Sequence, residues 1–167
     1  LFDGTDDYID LGIVSNMPTG TMTCTFWAKM PSNAGDALFS NEGAGGYGAA
    51  ISTYTSAATG KFNFRRGNAV DAEWTSTTSN DVMDNTWHHF ACVDTGSTAL
   101  DIYVDGIKNV VTTSGTYSST AVASPINTKI GNLARTGSSD YFDGHMCQVG
   151  LWSKALTQAQ IQSVMEK

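Results

Sequence analysis

Leu100-Asp101-Ile102-Tyr103-Val104-Asp105-Gly106-Ile107-Lys108-Asn109-Val110-Val111 reads as a β-hairpin. Two β-branched, apolar arms flank Asp105-Gly106, and both central residues of such a two-residue turn take positive φ, which Asp and Gly tolerate. Upstream, Trp87 to Asp94 is a third apolar run of strand length. Thr21 to Met30 alternates: Met22, Cys24, Phe26 and Ala28 share one face, and Thr21, Thr23, Thr25 and Trp27 the other. Lys61 to Arg66 does the same, with Phe62 and Phe64 opposed to Lys61, Asn63 and Arg65, the pattern of a half-buried antiparallel strand with a polar face in solvent.

Shorter runs at Tyr8–Leu11, Ala37–Ser40, Ala49–Thr53, Ala72–Thr77, Lys129–Gly131 and His145–Trp152 bring the strands to about eleven at regular spacing. Glu42 to Gly48 is a glycine-rich loop, and Ser114 to Ser124 a loop or weak edge strand. The expected fold is all-β: a two-sheet antiparallel sandwich in one domain over residues 1–167. One short C-terminal helix is expected, because Thr157-Gln158-Ala159-Gln160 is a capping box followed by an apolar stripe of Ile161, Val164 and Met165.

Composition narrows the function. The 167 residues hold 9 Lys+Arg against 16 Asp+Glu, a net charge of −7, with only 15% charged residues. Such a chain lacks the basic footprint for nucleic acid and is repelled by anionic membrane surfaces. No apolar run approaches the length of a membrane span, so no membrane insertion is expected. Thirteen of the acids are Asp and three are Glu: Glu42, Glu73 and Glu166. Glycoside hydrolysis needs two carboxyl groups facing one bond, and none of the three Glu has such a neighbour. The chain begins at Leu1 with no initiator Met and no signal peptide, so it reads as a processed product or an excised segment.

Cys24, Cys92 and Cys147 all lie in strand-like runs. Their odd number forbids complete pairing; buried free thiols are expected, one disulfide plus a free thiol being the alternative. His88 and His89 are adjacent on a strand and point to opposite faces, so they cannot converge on one substrate.

Several motifs, in order, resemble the laminin-G/pentraxin-like domains of the concanavalin A-like lectin/glucanase group. They are Leu1-Phe2-Asp3-Gly4-Thr5-Asp6-Asp7-Tyr8-Ile9, Thr23 to Lys29, Thr86-Trp87-His88-His89-Phe90-Ala91, Leu100 to Gly106, Tyr141-Phe142-Asp143-Gly144 and Gly150 to Thr157. The resemblance implies a concanavalin A-like jelly roll whose first and last strands are neighbours. It gives a reason for the two Phe-Asp-Gly triplets, which would bring Asp3 towards Asp143. Many relatives bind structural Ca²⁺, so Asp3, Asp6, Asp7 and Asp143 are the candidate ligands, hard oxygen donors of the kind Ca²⁺ takes. The alternative is a set of Asx-turns, each carboxylate bonding its own turn.

The leading functional expectation is a non-catalytic carbohydrate-binding module. Asn63 and Arg65 on the polar strand face, with Arg66, Trp74, Tyr47 and Tyr54 beside it, are the candidate contacts to a glycan or polysaccharide. Sugars stack on aromatic rings and hydrogen-bond to Asn, Asp and Arg. The alternative is a structural or adhesion domain bound to other chains of a larger assembly, such as a virus or phage particle. Either reading places the protein outside a cell or on a particle surface. A polysaccharide-cleaving enzyme is the third reading.

Overall fold

The computed structural model describes residues 1–14, 17–18, 20–31, 37–41, 52–56, 60–67, 73–78, 81–96, 100–115, 127–133 and 140–167. Within them lie β1 (Phe2–Asp3), β2 (Ile9–Asp10), β3 (Met22–Lys29), β4 (Ala37–Ser40), β5 (Ser52–Ser56), β6 (Lys61–Gly67), β7 (Glu73–Thr78) and β8 (Trp87–Asp94). Then follow β9 (Leu100–Val104), β10 (Ile107–Lys108), β11 (Val111–Gly115), β12 (Lys129–Ile130), β13 (Asp143–Trp152) and the helix α1 (Gln158–Met165). The strands form two sheets, β1-β13-β3-β8-β9-β10 and β11-β7-β6-β5-β4-β12-β2, and each registered pair is antiparallel. This is the expected all-β sandwich with one C-terminal helix. Among the described residues no helix is long and apolar enough to cross a membrane.

The core lies between the sheets and follows the period-two pattern. Met22, Cys24, Phe26 and Ala28 from β3 are fully buried, and they meet Phe62 and Phe64 from β6 and Phe90 from β8. Among the described residues Phe62 and Phe90 are the tightest ring pair, 4.6 Å between centroids. The other face of β3 is buried too, which the alternation does not foretell. The Thr23 hydroxyl donates to the Lys154 carbonyl (2.8 Å) and accepts from the Leu156 amide (2.9 Å). These bonds pull the segment before α1 across the outer face of the sheet, where Leu156 and Ile161 pack on Ala91, Val93 and Tyr103. The helix begins as its sequence dictates: the Gln160 amide donates to the Thr157 hydroxyl and the Thr157 amide to the Gln160 side chain.

The two Phe-Asp-Gly triplets pair with each other. Phe2 stands opposite Gly144 and Asp3 opposite Asp143, and the Gly4 amide donates to the Phe142 carbonyl at 3.1 Å. The Phe2 and Phe142 rings meet edge to face at 5.6 Å. Gly4 adopts φ +74°, and any β-carbon there would press on the Asp143 side chain. The repeat is thus a small local two-fold that joins the first strand to the last.

Some sequence boundaries change. The second hairpin arm stops at Lys108, after which β11 joins the opposite sheet against β7, so Val111 belongs to another layer. The strand expected at Ala49–Thr53 runs Ser52–Ser56, and residues 49–51 lie outside those described. Residues 42–48 of the expected loop lie outside as well. All three cysteines are free: Cys24 and Cys92 are buried side by side in register, but Cys147 is exposed.

Candidate functional site

β6 is paired on both sides, by β5 and β7. Its even residues Phe62, Phe64 and Arg66 turn inward, and Lys61, Asn63 and Arg65 turn outward. Asn63 stands in register between Tyr54 of β5 and Thr77 of β7, and Arg65 between Ser52 and Thr75. The Thr77 hydroxyl donates to the Asn63 side-chain oxygen at 2.6 Å. One expectation needs correction: Asn63 is only 6% exposed, whereas Lys61 and Arg65 on either side are half-buried. The middle of the outer row is therefore covered rather than open to solvent. Tyr54 holds the register position beside Asn63, and Trp74 stands opposite Arg66, away from the Asn63 row. The side chains of Tyr54 and Trp74, and the whole of Tyr47, lie outside the described residues.

Arg66 does not belong with the candidate contacts. Strand β6 extends through Gly67, so Arg66 is a strand residue with the parity of Phe62 and Phe64. Its Nε donates to Asp94 Oδ2 at 2.9 Å, and both side chains are 2% exposed. Its other guanidinium nitrogens reach the Pro18 and Gly20 carbonyls at 3.3 and 3.2 Å. Asp94 also accepts from the Gly96 amide at 2.8 Å. The guanidinium fork and the carboxylate thus latch β6 in one sheet to β8 in the other.

Asp3, Asp6 and Asp7 are brought together: one oxygen from each lies within 4.8 Å of the others. Asp143, although opposite Asp3 in register, does not join that group. Two of the carboxylates already serve the turn, since Asp3 accepts from the Thr5 amide (2.9 Å) and Asp7 from the Asp3 amide (3.1 Å). The donor set is of the kind a hard cation takes, but it supplies three of the six to eight oxygens that Ca²⁺ gathers.

The two histidines occupy opposite faces, as strand geometry requires. His88 Nδ1 lies 2.7 Å from Asp105 and its Nε2 3.3 Å from Asp84. Burial works against charging this ring, but the hydrogen bond and charge of Asp105, and then those of Asp84, outweigh it and raise the pKa. Thr86 donates to Asp84 and, with the other bonds there, lowers its pKa. His89 is buried edge-on to Trp27, 5.4 Å between centroids, and burial lowers its pKa against the opposing charge of Asp105. Asp105 also accepts from the His89 amide at 2.9 Å, so one carboxylate holds the hairpin turn against β8. No sequence signal marks Asp105 as a histidine partner, because the Asp-Gly turn already explains it.

With this geometry in place the chain can be set beside known proteins. The family model of the concanavalin A-like lectin/glucanases superfamily matches residues 3–162. The chain belongs to that superfamily. Among solved structures it is similar to domains LG4-5 of the mouse laminin alpha1 chain, with a TM-score of 0.71 and 11% identity over 95% of this chain and 43% of that one. It is similar also to a Bacteroides ovatus ATCC 8483 protein named for carbohydrate binding (TM-score 0.70, 18% identity, 96% of this chain, 45% of that one). A third likeness is to the NanB sialidase of Streptococcus pneumoniae (TM-score 0.69, 18% identity, 95% and 26%). Identities this low show the shared fold alone, and the chain spans less than half of each of these proteins. No curated sequence matches it.

Proposed function

We propose that the superfamily fold serves here as a non-catalytic, extracellular carbohydrate-binding module, working through the outer face of β6. The polar row carries this reading: an Asn amide at its middle, between a half-buried Lys and Arg, on a sheet face turned away from the aromatic core. A few fixed polar groups orient a ligand, and carboxamide and guanidinium groups match sugar hydroxyls. Tyr54 is beside the row in register and, with Tyr47, is a candidate for stacking, whereas Trp74 pairs with the inward Arg66 and is not. The likeness to a protein named for carbohydrate binding supports the same class of ligand. The Asp3, Asp6 and Asp7 carboxylates would hold a structural Ca²⁺ that pins the first turn to the sheet edge.

A glycan array followed by calorimetry tests the reading. Binding that weakens about tenfold or more in Arg65→Ala or Asn63→Ala supports it, and no binding at millimolar sugar rejects it. The alternative, a structural or adhesion domain in a larger assembly, draws on a separate observation. Strand β2 ends the seven-stranded sheet, and Ile9, Leu11 and Ile13 beside this open edge are about half exposed or more. Exposed apolar edge strands invite pairing with another chain. A strict monomer by light scattering counts against it.

A further inference from the structure

We infer that the groove between β2 and β13 is a second carbohydrate subsite, built for a neutral pyranose ring. The inference rests on the glycan-binding reading for its class of ligand, but on different residues.

Three observations converge there. First, a groove of about 440 Å³ opens there, its lining including Asp7, Tyr8, Ile130, Met146, Cys147 and Gln148. That volume lies within the range of small-molecule sites. Second, the Tyr8 ring is 45% exposed yet fixed in place: the Lys129 ammonium sits 4.4 Å from its centroid, and the Tyr141 ring 6.4 Å away. An exposed, held aromatic ring is a stacking surface for the C–H face of a sugar, with little conformational freedom to lose. Third, β13 carries a bulge at this point. Cys147 pairs with Trp27 and Gly150 with Thr25, so Gln148 and Val149 together oppose Phe26 alone. Gln148 is held at φ +51°, a left-handed conformation that a side-chain-bearing residue rarely adopts. Bulges re-aim side chains, and held strain of this kind gathers at ligand sites. Here it places an exposed glutamine in the lining of the groove.

The charge selects the ligand. Asp7 lines the groove with Asp3 and Asp6 grouped beside it, and in the calcium-free protein, the form used for the test, the whole chain is at −7. A sialic acid or a sulfated sugar would meet like charge, whereas neutral hydroxyls would find acceptors in Asp7 and both donor and acceptor in Gln148.

Cys147 makes the test direct, because it lines the groove and is exposed while Cys24 and Cys92 are buried. The rate at which Ellman's reagent modifies native protein therefore reports on this site. Methyl α-D-glucopyranoside, methyl β-D-galactopyranoside and methyl α-D-mannopyranoside are the probes, each at ~50 mM, with N-acetylneuraminic acid as the anionic control. At least one neutral glycoside is expected to slow the reaction about threefold or more, and the acid is not. Tyr8→Ala should abolish the protection, and Arg65→Ala should retain it. Gln148→Gly suits the φ of that position and removes only the carboxamide, so it should weaken protection in a protein that folds even if Tyr8→Ala does not. Failure of all three glycosides, equal protection by the acid, or undiminished protection in Gln148→Gly overturns the inference. Arg65-dependent glycan binding with Cys147 never protected would refute this groove and leave the β6 row standing.

Discussion

Replacing Arg66 by Met should cost the fold far more than any other single change at a candidate contact. The Arg66–Asp94 pair is made at 2.9 Å between side chains that are each 2% exposed. Truncating the guanidinium removes the charged partner of a buried Asp94 carboxylate and takes one donor each from the Pro18 and Gly20 carbonyls. Breaking a buried pair in this one-sided way costs about 3–5 kcal/mol. Against a total of about 5–15 kcal/mol, that is roughly a fifth of the stability or more. With a urea dependence of about 2 kcal/mol/M, the midpoint should fall by ~1.5–2.5 M. In a chain of this size the melting temperature should fall by about 6–20 °C. Arg66→Met/Asp94→Leu should recover much of the loss, since an apolar pair of similar volume removes both desolvation costs. Urea melts of the two single variants and the double variant give the coupling energy. Glycan affinity per folded molecule should be unchanged in Arg66→Met. A loss below ~1 kcal/mol, or coupling near zero, would refute the latch. Weakened sugar binding by folded Arg66→Met would return this residue to the ligand site.

The other expectations concern protons, a cation and thiols. His88 has its pKa raised above the ordinary 6.5, so the stability it adds is complete below that value and is lost as pH rises through the folded pKa. His89 has its pKa lowered, so its contribution is present above 6.5 and is lost as pH falls towards the folded value. His88→Gln should therefore remove the alkaline decline and keep the acid one, and His89→Gln the reverse; denaturant melts between about pH 5 and 8 decide, and identical profiles in both variants would sink the assignment. Calcium at about 100 times its Kd should stabilise by ~2.7 kcal/mol, raising the melting temperature by about 5–11 °C, with no rise in Asp3→Asn/Asp7→Asn. An unchanged melting temperature would leave those carboxylates as turn residues alone. Ellman's reagent should titrate one thiol in the native protein and three in denaturant. Burial pushes Cys24 up to about 12, and burial and the adjacent Cys24 raise Cys92, so two fast native thiols would contradict the packing.

Local chemistry made much of the fold legible. Asp105 and Gly106 take φ +51° and +73°, as the hairpin turn demands, and Thr157 and Gln160 close the capping box. Period two placed Phe62 and Phe64 inside. The same rule, carried one residue further, would have sent Arg66 inside as well, but nothing in Arg65-Arg66-Gly67 marks the strand as continuing. What parity cannot reach is the partner. Asp94 follows Arg66 by 28 residues and lies in the opposite sheet. The Tyr8 platform needs Lys129 and Tyr141, contributed by β12 and by the segment before β13. Asn63 reads as a solvent residue from its neighbours in sequence, and its burial depends on the sheet around it. Segment-level pattern fixes which way a side chain turns; long-range packing decides whether water waits there.

The preference for Asp over Glu has a structural cause that bears on function. Asp3, Asp10, Asp81, Asp84 and Asp94 each accept from the backbone amide two residues on, at 2.8–2.9 Å. That ring closes with a one-carbon side chain, which is why Asp and Asn favour such turns. A Glu carboxylate, one methylene longer, does not reproduce it. A sandwich of many short strands needs many tight exits, and among the described residues five aspartates supply them in this way. The acidic excess therefore testifies to turns first. Only where turns converge, as Asp3, Asp6 and Asp7 do beside the Tyr8 groove, does it become a field that a ligand would feel. In the proposed site that field would attract a cation and, without one, disfavour anionic sugars, which would tie the choice of ligand to the same residues that let the first strand turn.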